Sequence, residues 1–211
     1  MNLENSLNVQ LFINSIFKSN TYVLSTHEGQ NAWCIDPGDH SPILEWLRDN
    51  NKILCGIFLT HTHFDHIYGT NELIENFPNA IIYTSQYGAE GLISEKLNGS
   101  LYRDIPFVVK HDLVKTVGED NRIKLWENIQ MEVWETVGHN RDCLSFYTPN
   151  VVFTGDALIP GLKVVTKAKY SDKSLAAISI QKIMDRTTES TIIYPGHGSF
   201  GERKQCKIIV E

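Results

Sequence analysis

The sequence predicts an α/β (α+β) protein in which two β-sheets pack together and helices cover their outer faces. Strand-like apolar runs alternate with helical patterns in the first half, and a series of strand-like runs followed by a helix occupies the second half. Each half ends in a strand that leads into a histidine-containing turn, at residues 53–63 and 191–198. Because a sheet must bury its apolar face against another layer, this order is typical of two packed sheets.

The first half predicts five strands and three helices. Ser41 is a good N-cap and Pro42 fits the first position of a helix that follows the turn-forming Pro37 and Gly38. The apolar run at 53–60 has the length of a strand buried on both faces. We expect strands at 8–14, 21–26, 31–36, 53–60 and 80–85, helices at 41–50, 69–77 and 85–93, and a surface loop up to residue 112.

The second half predicts mainly strands. Its one helix has Ser171 or Asp172 as its N-cap. We expect strands at 122–126, 129–136, 143–148 and 151–155, the helix at 171–185, and a last strand within 191–198. No linker or low-complexity stretch divides the chain, so we expect one domain over residues 1–211.

Composition restricts the class of protein. The 211 residues are 42% hydrophobic and 21% charged, which is ordinary for a soluble globular protein, and the net charge of −6 argues against a general nucleic-acid binder. We see neither a signal peptide nor an apolar run that could span a bilayer. Four cysteines without a CxxC pair, Cys34, Cys55, Cys143 and Cys206, indicate free thiols. We therefore expect a cytoplasmic protein with a small-molecule substrate and no nucleic-acid or membrane partner.

Three histidines and one aspartate lie together in the stretch HTHFDH. Side chains of an extended segment alternate between two faces, so His61, His63 and Asp65 should point the same way from a strand end. His66 should turn inward as the next helix begins. Imidazole and carboxylate groups bind Zn²⁺, Fe²⁺ and Mn²⁺. A polar loop whose histidines bond to the backbone is the alternative, but four such residues at this spacing favour a metal site.

Three further residues follow the same design. His139, Asp156 and His197 each come after an apolar strand and a small residue. Taken alone, the two histidines could belong to turns and the aspartate could cap a helix or turn. Together with the cluster they indicate ligands from distant segments, because strand ends at one edge of a sheet sandwich could bring all of these groups together.

These motifs resemble those of the metallo-β-lactamase superfamily. The stretches HTHFDH, GHNRD, FTGDAL and PGHG have its order and spacing, and the likeness extends over nearly the whole chain, including IDPGD at 35–39. The resemblance implies a four-layer αββα sandwich of two mixed β-sheets with metals at one edge. It implies that Asp36 supports the site or forms a turn. It assigns His61, His63 and His139 to one metal, Asp65, His66 and His197 to a second, and Asp156 to a bridge between them.

The implied cofactor is two divalent metal ions, Zn²⁺ ahead of Fe or Mn. Structural zinc sites are usually closed and rich in cysteine, and this ligand set contains no cysteine. Two divalent ions, Asp65, Asp156 and one hydroxide leave about one positive charge, which can polarise an incoming oxygen. The hypothesis is that a metal-bridging hydroxide attacks an electrophilic carbon. Asp65, the expected catalytic residue, orients the hydroxide and passes its proton on.

The resemblance is greatest to compact hydrolases similar to glyoxalase II, which cleave thioesters, and to relatives that act on lactones. Asp156 stands where the commonest zinc β-lactamases carry a cysteine, so antibiotic hydrolysis is not expected. The sequence ends soon after His197, without the helical glutathione-binding extension of that group. The expectation is therefore a thioester, lactone or related ester, with a glutathione thioester allowed but unsupported.

Several residues near the motifs could have either of two roles. Lys163, Lys167 and Lys169 could attract an acidic substrate or belong to a solvated loop. Asn140 and Arg141 could touch substrate or form a turn. Phe64 and Tyr68 could line a pocket or simply pack. An exposed tryptophan could mark a subunit contact, so a homodimer is possible, although core positions are expected for Trp33, Trp46, Trp126 and Trp134.

Two other classes of function stay open. Persulfide dioxygenases resemble this pattern but hold one iron, and His61, His139 and Asp156 would be its ligands here. The complete second set of ligands favours hydrolysis over this mononuclear iron oxidoreductase. A member of the family that only binds a ligand is the third class, and the intact ligand set argues against it.

Overall fold

The computed structural model describes residues 7–209 and contains two mixed, six-stranded β-sheets. The first sheet has the order β1 (Leu7–Ile13), β2 (Asn20–Thr26), β3 (Asn31–Ile35), β4 (Ile53–Phe58), β5 (Ile81–Thr84), β6 (Val114–Thr116). The second has the order β12 (Gly201–Glu202), β11 (Ile192–Pro195), β10 (Val151–Gly155), β9 (Leu144–Thr148), β8 (Ile129–Glu135), β7 (Arg122–Trp126). Strands β3 to β6 are parallel to one another, as are β10 and β11, and the other neighbours are antiparallel.

Helices cover the outer face of each sheet. They are α1 (His40–Asp49), α2 (Phe64–Ile67), α3 (Thr70–Asn76), α4 (Gln86–Leu92) and α5 (Lys173–Arg186). Ile43 and Leu47 of α1 pack on the first sheet, together with apolar residues of α3 and α4. Ile180 and Ile183 of α5 pack on the second sheet. The predicted αββα sandwich is therefore confirmed.

The main core lies between the two sheets. Aromatic rings from both sides meet there: the centroids of Phe58 and Phe146 are 5.0 Å apart, and those of Tyr22 and Phe153 are 5.4 Å apart. Trp33 and Trp134 are buried, whereas Trp46 and Trp126 are half-buried, so none of the four is exposed. All four cysteines are free. Among residues 7–209, no helix has the length and apolar character needed to cross a membrane.

The predicted strands and helices are found, with small corrections. Helix α1 begins at His40, with Asp39 rather than Ser41 at the N-cap. The carboxylate of Asp39 makes no cap bond because Ser15 and Tyr68 donate to it. For α5 the cap is Asp172, which accepts from the amides of Ser174 and Leu175. Strands β6 and β12 were not predicted, and β12 follows the strand expected to be last.

The sheets present their loops at one shared edge. Strand β4 leads into the HTHFDH stretch, β8 leads to His139, and the parallel strands β10 and β11 end side by side at Gly155 and Pro195. Two bonds between backbone groups tie the sheets together here: Leu144 N donates to Thr60 O at 2.7 Å and Asn20 N donates to Gly196 O at 2.7 Å. All the motif loops therefore meet at this edge.

Candidate metal centre

The structure brings all seven predicted ligands together at this edge. The ring of His61 lies 4.7 Å from that of His63, 4.2 Å from that of His66 and 5.1 Å from that of His139, measured between centroids. The complete group, which we call the seven-residue ring, consists of His61, His63, Asp65, His66, His139, Asp156 and His197.

Asp65 reaches the ring by a different route from the one predicted. The extended segment ends at His63, which is the N-cap of α2 with φ −61° and ψ 142°. Asp65 therefore belongs to a helical turn that begins at Phe64, and the alternation of an extended chain applies only to His61 and His63. Asp65 and His66, consecutive residues of this turn, both contact the same centre: Asp65 Oδ2 is 3.5 Å from His66 Nε2.

Three imidazoles form the first subsite, made of His61, His63 and His139. Their ligand atoms all lie within 4.8 Å of one another, and His139 Nε2 is 3.0 Å from His63 Nδ1. Thr60 Oγ1 donates its proton to Asp36 at 2.5 Å, so it must accept from His61 Nδ1 at 3.1 Å. This leaves the lone pair on His61 Nε2, a buried atom without a partner among the described residues.

The second subsite is made of Asp65, His66 and His197. His197 Nε2 lies 3.2 Å from His66 Nε2 and 3.4 Å from Asp65 Oδ2. The outer nitrogens of both rings have acceptors: His66 Nδ1 is 3.0 Å from Asp36 Oδ2, and His197 Nδ1 is 3.2 Å from the carbonyl of Phe17. In their neutral forms the two rings therefore turn lone pairs toward each other, which a cation between them would relieve.

Asp156 lies between the two subsites. Its Oδ2 is 3.6 Å from His139 Nε2 and 3.6 Å from His197 Nε2, and its Oδ1 is 3.7 Å from His66 Nε2. Oδ1 is buried and has no hydrogen-bond partner among the described residues. A Cβ at Gly196 would lie 2.3 Å from this oxygen, so glycine is needed for the close approach of β11. An unpartnered nitrogen, an unpartnered carboxylate oxygen and facing lone pairs fit divalent cations.

The charges of the two subsites differ. Burial lowers the pKa of His61 and His63, and neighbouring histidines lower it further. Burial would also lower the pKa of His66, but Asp65, Asp156 and Asp36 together raise it to about 10. Burial would raise the pKa of Asp65, but His66 and His197 lower it to about 2. Asp65 in the second subsite and the neighbouring carboxylates of Asp36 and Asp156 therefore attract positive charge, which a metal ion or a proton can supply.

Asp36 supports the ring from behind. It lies close enough to His61 and His66 to share an ion with them, but its oxygens already accept from Thr60 N at 2.7 Å, Thr60 Oγ1 at 2.5 Å and His66 Nδ1 at 3.0 Å. Its backbone has φ 51°, in the left-handed region that aspartate tolerates better than most residues. It orients the His66 ring, in agreement with the supporting or turn-forming position that the resemblance implied.

Thr62 and Asp142 are supporting residues that the sequence reasoning missed. Asp142 Oδ2 accepts from Thr62 N at 2.9 Å and from Thr62 Oγ1 at 2.6 Å. This contact joins the stretch between His61 and His63 to the loop after His139. No local pattern could reveal it, because the partners are 80 residues apart.

The mouth of the centre carries aromatic and basic side chains. Arg141 is stacked between Tyr87 and Tyr170, 4.3 Å from each centroid, and pairs with Glu90 at 3.0 Å. Asn140 Nδ2 lies 3.4 Å from His63 Nε2. Among other residues noted from the sequence, Phe64 contacts Phe17 and Tyr68 donates to Asp39. Lys163, Lys167 and Lys169 form no ion pair within the described part of the chain.

Comparison with known proteins agrees with this geometry. The family model described as the metallo-beta-lactamase superfamily matches residues 16–197. A hydroxyacylglutathione hydrolase of Idiomarina loihiensis is 34% identical over 140 residues, which are 66% of this chain and 47% of that protein. The chain spans about half to two thirds of the length of the curated relatives it matches.

Solved structures show the same architecture. The crystal structure of BLEG-1, a B3 metallo-beta-lactamase, superposes with a TM-score of 0.84 at 26% identity, over 94% of this chain and 95% of that one. The structure of TTHA1623 in a di-iron-bound form gives a TM-score of 0.79 at 25% identity, over 93% of this chain and 96% of that one.

Proposed function

This chain belongs to the metallo-β-lactamase superfamily, and from that premise we propose that it is a metal-dependent hydrolase of the glyoxalase II type. Its substrate is a thioester, a lactone or a related ester, with a hydroxyacyl thioester as the leading candidate. The observation that carries the proposal is the seven-residue ring, in which imidazole lone pairs and a central carboxylate converge at one edge of the sandwich. The curated relatives named hydroxyacylglutathione hydrolase support the choice of a thioester.

The ring is proposed to hold two divalent metal ions, Zn²⁺ ahead of Fe or Mn. His61, His63 and His139 would hold one, and Asp65, His66 and His197 the other. Asp156 would be shared, because its two oxygens approach nitrogens of both subsites. The di-iron form of a solved neighbour at 25% identity supports a pair of metals rather than one.

Bound metal ions would polarise a carbonyl oxygen and lower the pKa of bound water to about 7. Asp65 then has a defined task for this chain. With a pKa of about 2 it stays ionised at neutral pH, so Oδ2 can accept a hydrogen bond from the attacking water and orient it. A carboxylate with so low a pKa is a weak base, so the transfer of the water proton to Asp65 depends on the acidity that bound metal ions would give that water. A bond forms between the water oxygen and the thioester carbon, and the carbon–sulfur bond breaks. The products are a carboxylate and a thiol, and one proton is released.

A thioester suits this ring because its leaving group needs little help. A thiol has a pKa of about 8.5, so the departing sulfur can leave as a thiolate near neutral pH. The ring offers a carboxylate that accepts a proton, Asp65, and imidazoles whose outer nitrogens are already bonded to Thr60, Asp36, Val165 and Phe17. These hydrogen bonds fix the orientation of the four imidazoles. They do not supply a proton to the leaving group.

A panel of thioesters, lactones and a chromogenic cephalosporin tests the proposal. We expect metal-dependent turnover of a hydroxyacyl thioester, and a loss of at least about a hundredfold in kcat for Asp65→Ala, the lower end for loss of a general base. The control is Asp49→Ala, an exposed carboxylate near the end of α1, which should keep wild-type kcat. Melting temperature and metal content are measured alongside. Wild-type turnover by Asp65→Ala would contradict the role of Asp65.

Hydrolysis of a β-lactam is the second candidate. One observation favours it: the likeness to the B3 metallo-beta-lactamase BLEG-1 covers 94% of this chain and 95% of that one, whereas the thioesterase relatives are longer. The same panel separates the two reactions. We expect a higher kcat/KM for the thioester than for the cephalosporin, and the reverse order would favour the second candidate.

A further inference from the structure

We propose that Arg103 binds a carboxylate of the substrate at the mouth of the seven-residue ring. The inference rests on the hydrolase proposed above, because it narrows the substrate to a thioester whose thiol part is anionic. The acyl carbonyl carbon must lie over the seven-residue ring to react. We therefore assign the carboxylate that reaches Arg103 at the mouth to the thiol part of the thioester.

Arg103 lies on a platform of two aromatic rings. Its guanidinium carbon is 5.0 Å from the centroid of Phe64 and 5.7 Å from that of Phe17, and the two rings meet edge-on with centroids 5.5 Å apart. Stacking on an aromatic face holds a guanidinium plane and leaves the N–H groups at its rim for other acceptors. The side chain is exposed, so these donors are open to solvent and to a ligand.

The platform belongs to the candidate metal centre. Phe64 stands between the predicted ligands His63 and Asp65 in the chain, and it opens helix α2. The carbonyl of Phe17 is 3.2 Å from His197 Nδ1. The two residues that carry Arg103 are therefore linked to predicted ligands, Phe64 through the chain and Phe17 through its backbone carbonyl, which places the guanidinium beside the candidate metal centre.

The segment that carries Arg103 is anchored to the same loop. Phe64 N donates to Asn98 O at 2.8 Å, and Arg103 N donates to Ser100 O at 2.8 Å. Ser100 Oγ donates to Phe107 O at 2.9 Å and accepts from Phe107 N at 3.0 Å. These bonds fix the loop between α4 and β6. Arg103 therefore extends from an ordered turn and loses less conformational freedom when it binds a ligand.

The charge of Arg103 is free, in contrast to that of Arg141. Arg141 is also stacked on aromatic rings, but its charge is paired with Glu90 at 3.0 Å. Arg103 has no carboxylate within 4.0 Å in the described part of the chain. A guanidinium forks onto a carboxylate with two parallel N–H bonds, so a pre-oriented and unpaired arginine at a substrate mouth is suited to that group.

Two thioesters with the same acyl group test the inference. One carries 3-mercaptopropionate as its thiol part, and the other carries the neutral amide of that thiol. We expect wild-type protein to favour the carboxylate by about fivefold or more in kcat/KM, mainly through KM, with the preference falling as salt rises. Arg103→Gln should bring the ratio near one, and Arg103→Lys should keep part of the preference.

The control is Arg48→Gln, which removes an exposed guanidinium of α1 and should leave the ratio unchanged. Calorimetry with the two matching thioethers, which cannot be hydrolysed, gives a readout independent of turnover. If thioethers bind with an Arg103-dependent preference but no thioester is cleaved, Arg103 stands and the proposed hydrolase fails. If thioesters are cleaved and the carboxylate preference is absent, or survives Arg103→Gln, the proposal for Arg103 is overturned.

Discussion

The two subsites of the candidate metal centre lie side by side but have different chemistry. The first has three imidazoles, and burial lowers the pKa of His61 and His63. The second combines Asp65 with two imidazoles, and the surrounding carboxylates raise the pKa of His66 to about 10 and also that of His197, against the effect of burial. The first subsite therefore offers neutral imidazole nitrogens, whereas the imidazoles of the second subsite keep their protons to higher pH.

The difference indicates how each subsite would take a metal. Neutral imidazoles can bind a cation without first losing protons, whereas His66 must lose one. Negative charge at the second subsite favours a cation once that proton has left. We therefore expect the first metal to bind over a wide pH range and the second to depend on pH. The strongest test of this comparison removes the carboxylate that both subsites share.

Asp156→Ala should have the largest effect. Both subsites would lose the carboxylate that approaches His139, His66 and His197, and three nitrogens would be left without a shared anion. We expect loss of the second metal and weaker binding of the first. Activity should fall by at least about a hundredfold, because loss of a residue that only hydrogen-bonds to a metal ligand already costs up to about that much. Metal content by mass spectrometry and kcat measure it. Two metals bound with wild-type affinity would contradict the shared position of Asp156.

Gly196→Ala should affect the second subsite selectively. The added Cβ would lie 2.3 Å from Asp156 Oδ1 and 2.8 Å from His66 Cε1, so one of these groups must move. We expect the protein to keep the first metal and to lose the second, with a stability cost of about 1–3 kcal/mol for overpacking.

Gly118→Ala is the matched control for this substitution. Its nearest neighbour would be Glu135 Oε1 at 2.9 Å, the end of an exposed and flexible side chain. We expect wild-type metal content for the control. Equal metal loss in both variants, measured by the metal-to-chain ratio, would show that the close approach at Gly196 has no special importance.

Asp36→Asn and Asp142→Asn should each lower metal affinity mainly at one subsite, because the two carboxylates support different ligands. Asp36 orients His66 of the second subsite through Nδ1, although it also contacts Thr60 behind His61. Asp142 orients Thr62, which lies between His61 and His63 of the first. Each change should cost about 10–100-fold in affinity at the subsite it supports. Competition with a chromogenic chelator measures both affinities, and equal losses at the two subsites in both variants would remove the distinction.

Proton release is the smallest and most specific effect. Because the pKa of His66 is raised from 6.5 to about 10, affinity for the second metal should rise about tenfold per pH unit until pH passes that value. At pH 7.5 the second equivalent should release about one proton more than the first, as calorimetry in buffers of different ionisation enthalpy would show. Equal release by both equivalents would contradict the pKa difference.

Much of this centre could be predicted from the sequence, because its ligands follow strands. His139, Asp156 and His197 each come after an apolar run, and parallel strand ends meet at one edge, as β10 and β11 do. Most of the strands also have clear apolar patterns. The exceptions are β6 and β12, which have only three and two residues and lie at the sheet edges.

The supporting contacts were beyond such reasoning. Asp142 and Thr62 carry no metal-ligand pattern, and their contact depends on how two distant loops meet. Asp39 occupies the N-cap position of α1, but its carboxylate makes no cap bond because Ser15 and Tyr68 donate to it from outside the helix. The sequence predicts an extended position for Asp65 because the start of α2 has no clear cap signal, whereas the structure places Asp65 in a helical turn. The local sequence pattern predicts which residues come together at the site. Tertiary contacts determine the orientation of each side chain.

The number of metal ions per chain tests the central claim most directly. Native mass spectrometry on protein purified without chelator or added metal gives the ratio, and elemental analysis gives the metal. We predict two ions per chain for the wild type and one for Gly196→Ala. A single iron per chain that survives loss of Asp65, His66 or His197 would contradict the two-subsite account and would point to His61, His139 and Asp156 as the ligands of a mononuclear iron enzyme.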